Sequence, residues 1–346
     1  MQSSPNFIFD ITLDTLEEHL GSYDKYRFSQ ILNWVYKKFI FSPHEMTNLP
    51  LKLKEEMLAK FVHKYPNIVR REKTSDKTIK YLLNLYDREN IEFVLINTKK
   101  RKTLCLSSQV GCPIRCKFCA SGALGLTRSL FPGEITAQFL LGSKLLNSYP
   151  DNIVFMGIGE PLLNLSHLIK SLNIICSPEY INYATRRITI STSGIPKGII
   201  KLADLKKQWN LAVSIHAPND KTRAMIIPDN SKFPLQEILD ACKYYFEKTG
   251  RIITFEYTLI KGINDMLSQA DELAKIAKKL HAKINLIPYN PTSNSQFVRP
   301  NKQTCNSFAN RLKEKGANTT FRIEKGGGIN AACGQLRATN ILPKDI

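Results

Sequence analysis

The run Cys112-Pro-Ile-Arg-Cys116-Lys-Phe-Cys119 sets three thiols in a C-x₃-C-x₂-C spacing, with Gly111 just ahead of them. Cysteine thiolates are the usual ligands of iron–sulfur clusters, and a cubane [4Fe–4S] cluster has four irons. Three cysteines therefore leave one iron corner for a small chelating molecule. A closed zinc site is the competing reading, but it needs four ligands, usually from a second C-x₂-C pair or a histidine at ligand spacing. Neither follows in this chain. A disulfide reading is weaker still, because nothing in the sequence suggests export and cytosolic thiols stay reduced.

Five cysteines remain. Cys176 continues the stripe Leu165, Leu168, Leu172; Cys242 joins Leu235, Ile238, Leu239 and Phe246; Cys305 precedes Phe308 and Leu312. Helical spacing of this kind assigns these three to packing, where cysteine behaves as a small hydrophobe. Cys105 lies in a candidate strand, seven residues before the first thiol of the trio. Cys333 lies in Ala331-Ala-Cys-Gly-Gln-Leu336, after Gly326-Gly-Gly328. Small neighbours let the backbone approach a cofactor closely. From the residues alone, an inert loop thiol and a reactive one are equally open.

The elements that must position these thiols read as α/β. Residues 1 to about 70 carry helical stripes, among them Leu13, Leu16, Leu20 and Phe28, Ile31, Leu32, Val35, and form a helical accessory module over 1–75. Ile79-Lys-Tyr-Leu-Leu-Asn-Leu and Ile91-Glu-Phe-Val-Leu-Ile, joined by Asp87-Arg-Glu-Asn, read as a β hairpin over 76–97. From about 103 strands alternate with helix-length segments, in the order Leu104–Leu106, Ile153–Met156, Ile188–Ile190, Leu211–Ile215, Thr254–Thr258 and Ile284–Ile287, with a last strand at Thr320–Ile323. Six βα units imply a parallel sheet, as a closed or partly open barrel or a doubly wound sheet. This core runs over 98–326, and 327–346 form a C-terminal segment. Barrels of this kind carry their chemistry at the C-terminal ends of the strands.

The chain has 346 residues and a formal net charge of +19. The first 100 residues hold 16 Lys/Arg against 13 Asp/Glu, so nearly all of the surplus falls on the part that carries the cysteines. Such an excess points to a polyanionic partner, with solvated helix faces as the plain alternative. No stretch approaches the roughly 20 apolar residues of a membrane span, and no secretory signal is present. A cytoplasmic protein with no membrane partner is expected.

The motifs then resemble one family throughout. The trio's spacing is that of the radical S-adenosylmethionine (SAM) enzymes. Ser107-Ser-Gln-Val-Gly-Cys112, Phe155-Met-Gly-Ile-Gly-Glu-Pro-Leu162, Ser191-Thr-Ser-Gly194, Ser214-Ile-His-Ala-Pro218, Asn285-Leu-Ile-Pro-Tyr-Asn290 and Ala331-Ala-Cys-Gly-Gln335 resemble the RlmN family, in order, from about residue 20 to 337. Members of that family are bacterial radical SAM methyltransferases acting on adenine C2 of 23S rRNA and tRNA. The related Cfr enzymes, which methylate C8 of the same rRNA adenosine, share much of this pattern, but Glu160-Pro161 and Val110 look more like RlmN. One departure is visible: Gly327, Gly328 and Asn330 stand where the family often has an acidic pair.

The resemblance implies a partial (βα)6 radical SAM barrel, with one [4Fe–4S] cluster on Cys112, Cys116 and Cys119 and two SAM molecules used per turnover. It implies SAM contacts at Gly159, Glu160, Ser191, Ser214, Ile215, His216 and Asn290. It implies that Cys333 accepts a methyl group, that Glu92 removes the C2 proton, and that Cys105 releases the RNA by forming a disulfide with Cys333. The residue-level alternatives are an outward-facing strand carboxylate at Glu92, a strand-end hydroxyl at Ser191 and a satisfied loop histidine at His216. The expected partners are 23S rRNA (an adenosine of the peptidyl-transferase centre), tRNA (the adenosine 3′ to the anticodon) and an electron donor such as flavodoxin. The enzyme is expected to act as a monomer.

Overall fold

Short apolar runs decide where the strands fall. The computed structural model describes residues 5–98, 100–228, 232–292, 296–321, 332 and 334–336. Ahead of the sheet come the short helices α1 (Leu13–Leu20), α2 (Lys25–Leu32) and α3 (Leu51–Lys60). Then β1 (Asn67–Lys73), β2 (Ile79–Asn84), β3 (Asn90–Asn97) and β4 (Lys102–Cys105) run antiparallel to one another. A separate hairpin, β5 (Gln109–Gly111) with β6 (Leu126–Ser129), brackets the cysteine loop.

From β4 onward the pairing turns parallel. β4 pairs β7 (Asn152–Phe155), followed by β8 (Ile188–Thr192), β9 (Asn210–Ser214), β10 (Thr254–Leu259), β11 (Lys283–Pro288) and β12 (Thr319–Phe321). The crossovers carry α4 (Pro132–Leu146), α5 (Leu165–Cys176), α6 (Pro196–Asp204), α7 (Asp220–Ile226), α8 (Leu235–Thr249), α9 (Leu267–Lys279) and α10 (Lys302–Glu314). Among the described residues the ladder does not return from β12 to β4, and β3 occupies the free edge of β4. The result is an α/β partial barrel of six βα units, open on one side, as the sequence led us to expect. Among the described residues no helix is long and apolar enough to cross a membrane.

The strand β1 is a difference from the sequence reading, which carried helix to about residue 70. Its burial alternates weakly and most of it is exposed, because an edge strand faces water along much of its length. Arg70, Arg71, Glu72 and Lys73 give it the charged side chains that discourage edge pairing.

The N-terminal module shares the barrel's core. Phe7 lies directly over Gly133 in the first turn of α4, where any Cβ would collide with its ring. Tyr36 Oη donates to the Ile11 carbonyl at 2.6 Å and Tyr149 Oη to the Tyr36 carbonyl at 2.8 Å. These bonds satisfy phenol groups that burial would otherwise leave costly.

Register fixes which side chains face inward. Val94 stands opposite Cys105 and Cys105 opposite Val154. By the two-residue period of strands, Glu92 and Val94 share the inner face with Cys105. Ile91, Phe93, Leu95, Leu104 and Ile153 fill the main core on the other face. The strand β3 is therefore buried on both sides over most of its length.

Candidate active site

The cysteine loop is held from three directions. At its root, Gly111 has φ +75°, and a Cβ there would collide with the Gly125 carbonyl oxygen. Glycine is the residue this crossing requires. Cys112 N donates to the same Gly125 carbonyl at 2.7 Å, and Cys119 N donates to the Cys116 carbonyl at 3.0 Å. Lys117 N donates to the Ile226 carbonyl at 3.0 Å, which ties the loop to the end of α7. The C-terminal segment closes the third side: Ala120 N donates to the Gly334 carbonyl at 2.7 Å and Ser121 Oγ to the Leu336 carbonyl at 2.6 Å. Gln335 Nε2 reaches the Pro291 carbonyl at 3.0 Å.

Cys112, Cys116 and Cys119 form one wall of a cleft with about 800 Å³ of free space. Its other walls are the C-terminal ends of the parallel strands. Met156, Gly157, Gly159 and Glu160 come from the end of β7, Ser191 and Ser193 from β8, Ser214 and His216 from β9, Glu256 and Thr258 from β10, and Ile287 from β11. Burial pushes the Cys112 thiol up to about 12 and raises that of Cys116. A metal group taken up here must displace those thiol protons.

Glu160 is 2 % exposed. Its carboxylate accepts from Leu162 N at 3.0 Å and Ser193 N at 2.7 Å, while its own N–H donates to Gln109 Oε1 at 2.8 Å. Burial still raises its pKa above the usual carboxylate range, against the pull of those donors. The carboxyl is thus anchored, and among the described residues no cation pairs with it. Gly159, at φ +106°, brings the backbone so close that a Cβ would meet Gln109 and Ser108 at 2.6–2.8 Å.

His216 adopts φ +53°. Its Nδ1 accepts the Thr258 N–H at 3.0 Å and its carbonyl accepts from Asn264 Nδ2 at 2.7 Å. Phe118 of the cysteine loop meets the ring edge-on at 4.8 Å between centroids. Burial, and then the charge of Arg223, lower its pKa to about 3. The ring is neutral, with Nε2 left as its donor.

Of the residues expected at the site, Gly159, Glu160, Ser191, Ser214 and His216 line the cleft with the three cysteines. Ile215 is fully buried behind it and Asn290 is buried just past β11. Glu92 and Cys105 lie apart from the cleft lining, on the inner face of β3 and β4. Glu92 is 4 % exposed, and Lys80 Nζ lies 3.0 Å from its Oε1 while also reaching Glu72 at 3.0 Å. The outward-facing alternative for Glu92 therefore fails, since the inner face of β3 is covered. Cys105 packs with Val94, Ile158 and Leu336. Cys333 lies outside the described residues, as do Gly327, Gly328 and Asn330. Cys242 and Cys305 are buried on α8 and α10, and Cys176 is half-buried at the end of α5, as packing residues. Sequence reasoning missed Arg223, Glu256 and Gln109. Gln109 sits inside the quoted Ser107–Cys112 motif, so its signal was there to use.

The residues present fit a cluster and SAM. Three thiols converge with no disulfide among them. Among the described residues no group of three His, Cys, Asp or Glu is placed to hold one metal ion, and a cubane needs wider spacing, because each thiolate takes a different iron. The glycine-lined end of β7 admits a ligand's backbone-close approach, and the Glu160 carboxylate offers an ammonium group a counter-anion.

A sequence profile described as the radical SAM superfamily matches residues 106–284. A crystal structure of a radical SAM methyltransferase from Sphaerobacter thermophilus superposes with a TM-score of 0.93 at 40 % identity, covering 97 % of this chain and 100 % of that one. The chain is a radical SAM enzyme, of a superfamily whose cofactors are a [4Fe–4S] cluster and SAM. Proteins of Clostridium novyi (42 % identical over 96 % of this chain and 98 % of theirs) and Pseudothermotoga lettingae (44 % over 93 % and 94 %) each carry the name "probable dual-specificity RNA methyltransferase RlmN". Within the superfamily, this chain belongs to the RlmN family of SAM-dependent RNA methyltransferases.

Proposed function

We propose that this enzyme methylates C2 of an adenosine in the peptidyl-transferase centre of 23S rRNA and of the adenosine 3′ to the anticodon in tRNA. In this reading Cys333 carries the methyl group, Glu92 is the base and Cys105 is the resolving thiol. The observation that carries it is the company Cys105 keeps. It shares the inner face with Glu92 and packs against Leu336. The described neighbours of Cys333, namely Ala332 and Gly334 to Leu336, belong to a segment bonded to the cysteine loop.

The chemistry asks for such a pair of thiols. Adenine C2 lies between two ring nitrogens and is electron-poor, and the SAM methyl is also an electrophile. A thiolate can take that methyl by displacement. When bound, the cluster and SAM supply the hydrogen-abstracting radical that makes the thiol-borne methyl reactive toward C2. The adduct then holds a bond from the Cys333 sulfur to the new methylene and carries one unpaired electron, which the oxidised cluster, when bound, would take back. Glu92 takes the C2 proton; Lys80 keeps its carboxylate paired. The Cys105 thiolate attacks the Cys333 sulfur, so a disulfide forms as the sulfur–carbon bond breaks; the electron pair stays on the methylene carbon, which takes up a proton to become the product's methyl group. The adenosine must be unstacked to reach this buried chemistry. A donor such as flavodoxin supplies the electron, and the chain acts as a monomer.

Nucleoside mass spectrometry of RNA from cells with and without the gene tests the reading. The expected product is 2-methyladenosine, and 8-methyladenosine alone would overturn it in favour of C8 chemistry. Cys333→Ala should abolish methyl loading, whereas Cys105→Ala should trap a protein–RNA adduct visible on denaturing gels. No adduct in the Cys105 variant would sink the resolving role.

A further inference from the structure

Arg223 is the one arginine or lysine buried among the described residues, at 2 % exposure. Its Nη2 donates to the Ser193 carbonyl. Among the described residues its Nε and Nη1 reach no acceptor. A buried donor left unmet costs about 1–3 kcal/mol, so such a group calls for a reason. Asp220, one helical turn back on α7, is exposed and accepts from Leu235 N at 2.7 Å with its Oδ1. The guanidinium therefore stands inside the protein with its charge largely uncompensated.

Its position supplies the reason. The end of α7 is bonded to the cysteine loop through Lys117 N and the Ile226 carbonyl at 3.0 Å. Ser193, which accepts from Arg223, is also the residue whose N–H holds Glu160 at 2.7 Å. Arg223 lies within coulombic range of Cys116, whose neighbour Lys117 is the loop residue bonded to the end of α7. Yet Arg223 does not line the cleft. It stands on α7, bonded to the Ser193 carbonyl at the end of β8 rather than facing the cleft.

We infer that Arg223 is the buried counter-cation of the cysteine-held cluster, a positioning residue that acts through Cys116 and sets how readily the cluster accepts its electron. Three thiolates on a doubly positive [4Fe–4S] core leave one net negative charge, and one-electron reduction makes it two. A fixed cation in a low-dielectric interior favours the more negative state, and cluster potentials follow net charge and hydrogen bonding at the sulfurs. This inference rests on the superfamily's cluster and not on which RNA is methylated.

The test is a reductive titration of the anaerobically reconstituted full chain without SAM, followed by visible absorbance and by the electron paramagnetic resonance signal of the reduced cluster. At the potential that half-reduces the unmodified protein, Arg223→Met should lower the ratio of reduced to oxidised cluster about tenfold, a midpoint about 59 mV more negative. Arg223→Lys should keep the ratio within about twofold. Asp220→Asn, which removes the carboxylate that partly offsets Arg223, should move it the other way, and serves where Arg223→Met does not fold. Unmoved midpoints at matching iron and sulfide content would overturn the inference and leave Arg223 as a tie for Ser193. An unmoved midpoint with weakened SAM binding would overturn it too, assigning the residue to the SAM pocket.

Discussion

His216 shows how burial gives one residue a fixed chemical state. Its Nδ1 is committed to the Thr258 N–H and its ring is wedged against Phe118. Burial and Arg223 hold its pKa at about 3, far below the ordinary 6.5. An unfolded chain takes up this proton as pH falls through about 6.5, while the folded chain refuses it until about 3. Stability from this position is therefore complete above 6.5 and is lost as pH falls across that window, at up to roughly 1.4 kcal/mol per pH unit. Urea midpoints measured between pH 7 and 4 should fall more steeply for the native protein than for His216→Gln. Equal slopes would mean that the ring titrates freely. The histidine itself was visible in the sequence as part of Ser214-Ile-His-Ala-Pro218, and so were the three thiols and Glu160. Arg223 was not. In Asp220-Lys-Thr-Arg-Ala-Met it looks like one more charge on a solvated helix. Only the tertiary fold, which slides α7 beneath the cysteine loop, reveals that it is buried.

Among the elements, the joint between hairpin, cysteine loop and α4 depends on one ion cluster. Arg128 of β6 makes a paired contact with Glu134, with Nη1 and Nη2 each 2.8 Å from a carboxylate oxygen, and its Nε reaches Asp87 of the β2–β3 turn at 2.6 Å. Glu134 is fully buried and also accepts the Phe131 N–H at 2.9 Å, which starts α4. Removing one partner strands a buried charge, at a cost of about 3–5 kcal/mol. Arg128→Met should accordingly lower stability by that order in urea unfolding, and Arg128→Lys should recover part of it, since an ammonium keeps the charge but not the paired geometry. A loss under about 1 kcal/mol would show that the cluster behaves as an exposed pair. The strands β2 and β3 of this joint were readable from Ile79–Leu85 and Ile91–Ile96, because apolar runs bounded by turn residues leave few alternatives, whereas the short β5 and β6, the latter carrying Arg128, were not read. β1 escaped notice because its alternation is masked by Arg70, Arg71, Glu72 and Lys73 along the open edge. The inner face of β3 escaped as well: alternation alone could not say that the C-terminal segment, through Leu336, covers the face carrying Glu92 and Cys105.

For the whole molecule, the formal charge of +19 sets what a polyanionic partner meets. Among the described residues the buried Glu92 and Glu134 are paired with Lys80 and Arg128, and Glu160 and Glu256 are buried along with the cation Arg223, so burial withdraws acid and base in near balance. The positive surplus therefore remains on the surface. A polyanion that binds such a surface releases its condensed counterions, so its affinity falls linearly with salt on logarithmic axes. SAM, in the interior cleft proposed for it, would displace no such atmosphere. Binding of tRNA followed by fluorescence anisotropy, from about 50 to 200 mM monovalent salt, should give a slope of roughly −3 or steeper. Binding of SAM to the cluster-loaded protein over the same range should change by less than about twofold. A flat line for tRNA would mean that the positive charge is spread over solvated faces and contributes little to RNA recognition. In that case the phosphate backbone would have to be held by other polar groups near the side of the barrel where, among the described residues, β12 and the antiparallel strands do not pair.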